Sequence, residues 1–571
     1  MKIKGLLISM LACTALVGCT SDDVVENNEQ TLEKGKAFMG VRIELPSDGL
    51  SSRGSGTTDG GYSNSITEHE IRTIAFVFYT DGAYYGQSFN GAVTDTDQAT
   101  GNVEFIAETV VALKTQEKTF PNQVVAFANV YSSAAEAETA LQGKALTEAY
   151  AITTSKINGQ TDDLGFIMTN STYLSGGNII TATSVDATNF YEQKHLAIAN
   201  PVDMYIERVA AKIIAKEATD IKIEDIPTAD NNVTLKFKVE NFTLNASNKT
   251  SYLLKNIDTN WSFITGEDWV TDWNIVNDRR CFWAKDPNYT DGTYKLNAFI
   301  NDDEENKNNV NPDENSLNYY SYGENIISEA GIYCLENTFE GTLNTNSFSY
   351  GTHVLVNGQY YNGENKLRTF YYYGSLAYEV TVDNEVKPDS PSTYIPDQKV
   401  FRTRLAEATK CFYTTSDNGT TYTAYVISPD DIEIVRAKEK GADDVTIAFK
   451  NNFTAFNTLY VDNNGTYSPI QSLAEANQAI LKWIGTADMY KEGKGYFPVL
   501  IDHFGMDGKV GERGVVRNHL YELTINSIKS MATGYVDPKE PIIPEGDKKT
   551  YYLGATLKIL SWKKVQQGVD L

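Results

Sequence analysis

The residues Val233-Thr234-Leu235-Lys236-Phe237-Lys238-Val239-Glu240 set four apolar and four polar side chains in strict alternation. Period two is the period of a pleated strand, so this segment lays one face on a core and the other in water. An antiparallel sheet with one wet face requires that pattern, and it recurs along the chain. Ile74-Ala75-Phe76-Val77-Phe78-Tyr79 is instead a continuous apolar run ending at Asp81-Gly82, which reads as a buried strand entering a hairpin turn. Further strands are expected at Val103–Ile106, Val124–Tyr131, Val209–Ala215, Ala424–Ile427, Val445–Phe449 and Leu520–Ile525. Helix signals are few. Ser133-x-x-Glu136 opens a short one by a capping box, and Ser468-Pro469-Ile470-Gln471 opens a second through Leu473, Ile480, Leu481 and Ile484. The expected class is all-β: two antiparallel β-sandwich domains in series with a few short inserted helices. The divide is placed near Asn200-Pro201, giving domains over 54–200 and 201–571.

Composition narrows the function. The formal charge is −26, and so acidic a surface repels phosphate backbones, which argues against nucleic acid as a partner. Tyr (35) outnumbers Phe (24) and Trp (6), which suits half-buried sheet faces whose hydroxyl ends stay wet. No G-x-S-x-G elbow, phosphate-binding glycine loop or HExxH pair occurs, so the sequence offers no footing for an enzyme. Of His69, His195, His353, His503 and His519, only His69 has carboxylates on both sides, Glu68 and Glu70, and it lacks a second histidine at helical spacing. No metal or cofactor is expected. The stretch Asn301–Asn315 is acidic and amide-rich, but it lacks the spacing of a calcium loop and reads as a solvated surface segment.

The first residues are an address. Lys2 and Lys4 precede the apolar run Leu6–Val17, and Leu16-Val17-Gly18-Cys19 closes it with small residues before a cysteine. Residues 1–18 read as a lipoprotein signal and Cys19 as the lipidated residue; the rival reading is an ordinary secretory signal with an incidental cysteine. The apolar run is short of the ~20 residues needed to span a bilayer as a helix. With Cys13 and Cys19 set aside, Cys281, Cys334 and Cys411 remain, an odd number without a CxxC pair, so buried thiols are expected rather than a disulfide framework.

The two ends of the mature chain are the informative part. Ala37, Met39, Val41, Ile43 and Leu45 share one face of an alternating strand. Directly after it comes a Gly/Ser/Asp-rich segment whose one basic residue is Arg53, followed by Gly54. A lone arginine in such a segment is a protease target, or else a plain linker residue. At the other end Leu553, Ala555, Leu557 and Ile559 alternate in one strand, and after Trp562 a second carries Val565, Val569 and Leu571. Such a strand needs a sheet edge, either in its own domain or in another copy by β-augmentation.

Phe38-Met39-Gly40-Val41-Arg42, Glu70–Tyr79, Tyr333–Thr338, Val516–Leu523 and Leu560-Ser561-Trp562-Lys563, in that order, resemble the Bacteroidales type V fimbrial major subunits, in particular the shaft pilins of minor fimbriae. The resemblance runs from about Lys36 to Leu571. It implies two transthyretin-like sandwiches and export as an outer-membrane lipoprotein. The acidic Thr20-Ser21-Asp22-Asp23 resembles the signal that sends some such lipoproteins to the cell surface. It further implies cleavage by an Arg-specific protease at Arg53-Gly54, so that 19–53 is a lipidated propeptide carrying the removable strand Ala37–Leu45. Polymerisation then follows by strand exchange, the donor being Trp562–Leu571. The implied partners are other copies of the chain, accessory and anchor subunits, the protease and the outer membrane; the destination is a cell-surface fimbria supporting adhesion. The alternatives are an anchor or adhesive accessory subunit of the same fimbria, and a surface glycan-binding lipoprotein.

Overall fold

The computed structural model describes residues 36–46, 68, 70–91, 93–95, 103–114, 119–159, 165–175, 178–227, 234–257, 284, 286–287, 289–290, 293–294, 317–339, 351–373, 375–378, 411–416, 421–437, 444–501, 503, 513–544, 553–560 and 565–568. The protein is mostly β-sheet, organised as sandwiches.

The first sandwich contains β1 (Lys36–Pro46), β2 (Ile74–Thr80), β3 (Ala83–Asn90), β4 (Val103–Lys114), β5 (Gln123–Ala128), β6 (Met168–Asn170) and β7 (Val202–Arg208). Their lateral order is β3-β2-β5-β6-β7-β1-β4. The path folds over at β7: Val202–Tyr205 run parallel to β1, whereas Ile206–Arg208 pair antiparallel with β6. Two layers result, and Met39, Val41 and Ile43 of β1 meet Phe76 and Phe78 of β2, Val111 of β4 and Met204 of β7 in one core.

The apolar run in β2 is continuous because both of its faces are covered. Phe76 and Phe78 face the core, while Ala75, Val77 and Tyr79 join a second cluster with Ala137 and Leu141 of α1 (Ala134–Leu141) and Ala149 of α2 (Leu146–Tyr150). Asp81 and Gly82 both take positive φ, 50° and 80°, as a two-residue hairpin whose twist matches its strands demands. Ser133 caps α1 as expected, accepting the Glu136 N–H at 3.3 Å. A third helix, α3 (Lys194–Ala199), lies just before β7.

The second sandwich opens with β8 (Ala210–Ile223), β9 (Thr234–Asn245), β10 (Ile332–Leu335) and β11 (His353–Asn362). Before closing it, the chain builds a separate core from β12 (Phe370–Tyr373), β13 (Asp444–Phe449), α4 (Leu473–Ile484) and β14 (Ala487–Tyr490). Ile480 and Ile484 of α4 pack there on Val445, Ile447 and Phe449. The chain returns with β15 (Lys494–Leu500), β16 (Leu520–Ile528), β17 (Leu553–Leu560) and β18 (Val565–Gly568). One layer runs β10-β8-β16-β17-β18, the other β9-β11-β15. Leu235 and Phe237 point into their shared core while Lys236 is exposed, which is the alternation that defined this strand.

Two local expectations shift. The helix expected from Ser468-Pro469 starts later: Thr466–Pro469 is a strand at the edge of a small sheet, where a missing N–H is harmless, and Ser472 caps α4 by accepting the Glu475 N–H at 3.1 Å. The strand expected over Ala424–Ile427 lies earlier, at Tyr422–Ala424, and Tyr425 continues its ladder in the same register by donating to the Phe412 carbonyl at 2.7 Å.

The two sandwiches meet across buried charge. Arg517 donates to Glu336 at 2.9 Å and to the backbone carbonyls of Leu253 and Tyr252, and Lys255 pairs with Glu207 at 3.1 Å. Arg208 donates to the Glu68 carbonyl and the Asn518 side chain. Lys212 and Tyr333 converge on the Glu68 carboxylate; burial alone would raise its pKa, but these hydrogen bonds and the Arg208 charge hold it below the ordinary range. Lys212, Lys255 and Arg517 each have a carboxylate at hydrogen-bond distance and Arg208 donates to carbonyl and amide oxygens, the condition under which burial of ions is tolerated.

Candidate functional site

The site is the slot filled by β1. Its sequence fits an interior strand: Ala37, Met39, Val41 and Ile43 are buried on one face, the last three completely. On one side β1 pairs antiparallel with β4 from Lys36↔Lys114 to Pro46↔Val103. On the other it runs parallel to β7, from Val41↔Val202 to Glu44↔Tyr205. Nearer its start, Phe38 and Tyr191 exchange two backbone hydrogen bonds of 2.8 Å. Both of its backbone edges are therefore engaged, so taking β1 away would strand a row of donors and acceptors on each neighbour.

The outer face has its own requirements. α3 crosses it so closely at Gly40 that a Cβ there would stand 2.0 Å from the Ala197 carbonyl oxygen. Arg42 lies between Glu108, 3.2 Å away, and Asp203, 3.1 Å away, all three partly exposed. Partial burial works against its charge, but the Glu108 hydrogen bond and the nearby carboxylates outweigh this and raise its pKa. Sequence reasoning finds the inner face and misses these outer partners. Gly40 is the signal that points to them, since a glycine inside a strand marks a close backbone approach.

The second half of the site is the C-terminal hairpin. β17 pairs antiparallel with β16 from Leu520↔Leu560 to Ile528↔Leu553, and β18 pairs with β17 from Thr556↔Gly568 to Ile559↔Val565. Among the described residues β18 has no partner on its far side, so the hairpin ends its sheet. Val565 opens β18, whereas Trp562, Val569 and Leu571 lie outside the described residues, as do Cys19, Arg53, Gly54, His69, Cys281 and the 301–315 stretch. Glu68 marks where the chain past Arg53 becomes described, and there it is fixed in the charge cluster between the sandwiches.

Four further candidate groups are buried. Cys334 and Cys411 are buried free thiols whose pKa burial pushes up to about 12. His503 and His519 lie 4.9 Å apart, ring to ring, with His503 Nδ1 2.8 Å from the Tyr521 hydroxyl and His519 Nδ1 2.7 Å from the Arg517 carbonyl. Among the described residues, no group of three or more His, Cys, Asp or Glu is placed to hold a metal ion.

Residues 488–568, from β14 to the last residue of β18, match the family described as major fimbrial subunit protein type IV, fimbrillin, C-terminal. This agrees with the fimbrial-subunit resemblance carried by the sequence. No curated protein matches the chain. Among solved structures, a candidate cell adhesion protein from Parabacteroides distasonis is 10% identical, with TM-score 0.35, over 93% of this chain and 98% of that one. A fimbrilin from Porphyromonas gingivalis is 13% identical, with TM-score 0.34, over 94% and 98%. A candidate cell adhesion protein from Bacteroides eggerthii is 11% identical, with TM-score 0.30, over 91% and 95%. At such scores the likeness extends to no residue and no role.

Proposed function

We propose that the chain is the precursor of a fimbrial shaft subunit, exported as a lipoprotein on Cys19, cut after Arg53, and polymerised on the cell surface by strand exchange. The observation that carries this reading is the match of 488–568 to the fimbrillin C-terminal family, which takes in the whole terminal hairpin. The position of β1 supports the exchange step. Met39, Val41 and Ile43 are fully buried, and at about 2 kcal/mol each their removal forfeits on the order of 6 kcal/mol, besides two rows of backbone hydrogen bonds. A subunit that has lost β1 is poorly stable until another strand arrives, so cleavage itself drives assembly, and the uncut chain stays monomeric because its slot is full. The partners on this reading are other copies of the chain, accessory and anchor subunits, an Arg-specific protease and, before cleavage, the outer membrane.

The test is Arg53→Ala. The variant accumulates as an uncut, lipid-bearing monomer and yields no fibres. Fibres of normal length and yield from that variant would overturn the reading.

A further inference from the structure

On the strand-exchange reading just proposed, the slot of β1 dictates what a replacement strand looks like. Its inner face takes apolar side chains where Met39, Val41 and Ile43 lie. Its outer face takes no side chain at the Gly40 position, because a Cβ there meets the Ala197 carbonyl oxygen at 2.0 Å and carbonyl carbon at 2.7 Å. Both are backbone atoms and cannot swing aside. Two positions further on, the slot is flanked by Glu108 of β4 and Asp203 of β7, so it disfavours a carboxylate.

The terminal hairpin carries a glycine in each strand, Gly554 in β17 and Gly568 in β18. We propose that Leu553–Leu560 of one copy fills the β1 slot of the next, in the direction of β1 and with Gly554 in place of Gly40. In that register Leu553, Ala555, Leu557 and Ile559 fall at Met39, Val41, Ile43 and Leu45, and all but the alanine nearly conserve volume. Thr556 falls at Arg42 and adds no charge between Glu108 and Asp203. Lys558 falls at Glu44, diagonal to both carboxylates and within reach of a long side chain. The Gly568 register fits worse. It sets Asp570 between Glu108 and Asp203 and turns Gln567 to the inner face; run in the opposite direction it turns Gln567 and Lys563 inward. Contact thus moves from Trp562–Leu571, the donor that the fimbrial resemblance implies, to β17, and the terminal residues follow beyond it. In the exchange β17 gives up β16 and β18 as neighbours and gains β4 and β7.

Paired cysteines read the register in fibres made by the cell. Arg42 is the Cα partner of both Glu108 and Asp203, so Thr556→Cys is combined with Glu108→Cys, or separately with Asp203→Cys. Asp570→Cys with Glu108→Cys reports the competing register. The expected result is that most subunits of the Thr556 pairs run as multimers on boiled non-reducing gels and collapse to monomers with reductant, while the Asp570 pair stays monomeric. Multimers from the Asp570 pair alone overturn the register and leave strand exchange standing. Intact fibres with no link from any pair overturn both. Gly554→Val gives a second arm: fibre yield falls at least tenfold while export and cleavage continue, whereas Gly568→Val assembles normally. Undiminished fibres from Gly554→Val contradict the proposal.

Discussion

At the scale of single residues, Gly40 shows how much a strand can be specified by its outer face. The Ala197 carbonyl leaves no room for a Cβ, so Gly40→Val strains the precursor by overpacking against backbone, at about 3 kcal/mol. The urea midpoint of the uncut chain should fall accordingly; a shift below about 0.5 kcal/mol would mean that α3 yields freely. His353 makes a different demand. It is fully buried at the start of β11, its Nδ1 2.7 Å from the Gly351 carbonyl, and burial pushes its pKa from 6.5 down to about 3. The unfolded chain therefore binds a proton that the native one refuses, so stability is kept above pH 6.5 and lost as pH falls toward 3, by roughly 1 kcal/mol per pH unit. Urea titrations at pH 7 and pH 5 measure this, and His353→Gln flattens the slope whatever its effect at neutral pH. An unchanged slope assigns the acid lability to other groups.

At the scale of elements, the proposed exchange makes β1 the strand whose importance differs most between precursor and fibre. Ile43→Ala removes a fully buried side chain and costs about 3 kcal/mol in the uncut precursor. On the proposed exchange the fibre has lost β1, so the same substitution leaves its heat resistance at the wild-type level. Equal weakening of precursor and fibre would show that β1 stays in place. The elements legible in the sequence are those whose period betrays them, such as Leu235 and Phe237 in β9, or the run in β2 closed by Asp81-Gly82. The start of α4 is misread because Ser468-Pro469 and Ser472 carry the same local signal, and only pairing with Tyr460–Asn463 decides between them.

At the scale of the whole molecule, what escapes a reading of the chain is what long-range packing decides. The third core around α4 joins Tyr371 to Ala487, and the charge cluster joins Arg208 to Asn518, 310 positions away, and Arg517 to Glu336, 181 positions away; the pattern of each segment does not announce these assemblies. That cluster sits between the sandwiches and holds Glu68, so on the proposed exchange the chain past Arg53 stays tied to the fold when β1 leaves. The central claim is that the fibre is built from subunits that have lost β1 and hold another copy's strand in its place. The most direct measurement is N-terminal sequencing, with intact mass, of subunits released by boiling from fibres purified off the cell surface. The account predicts a start at Gly54 and no lipid; a start at Cys19, with Ala37–Leu45 still attached, would contradict it.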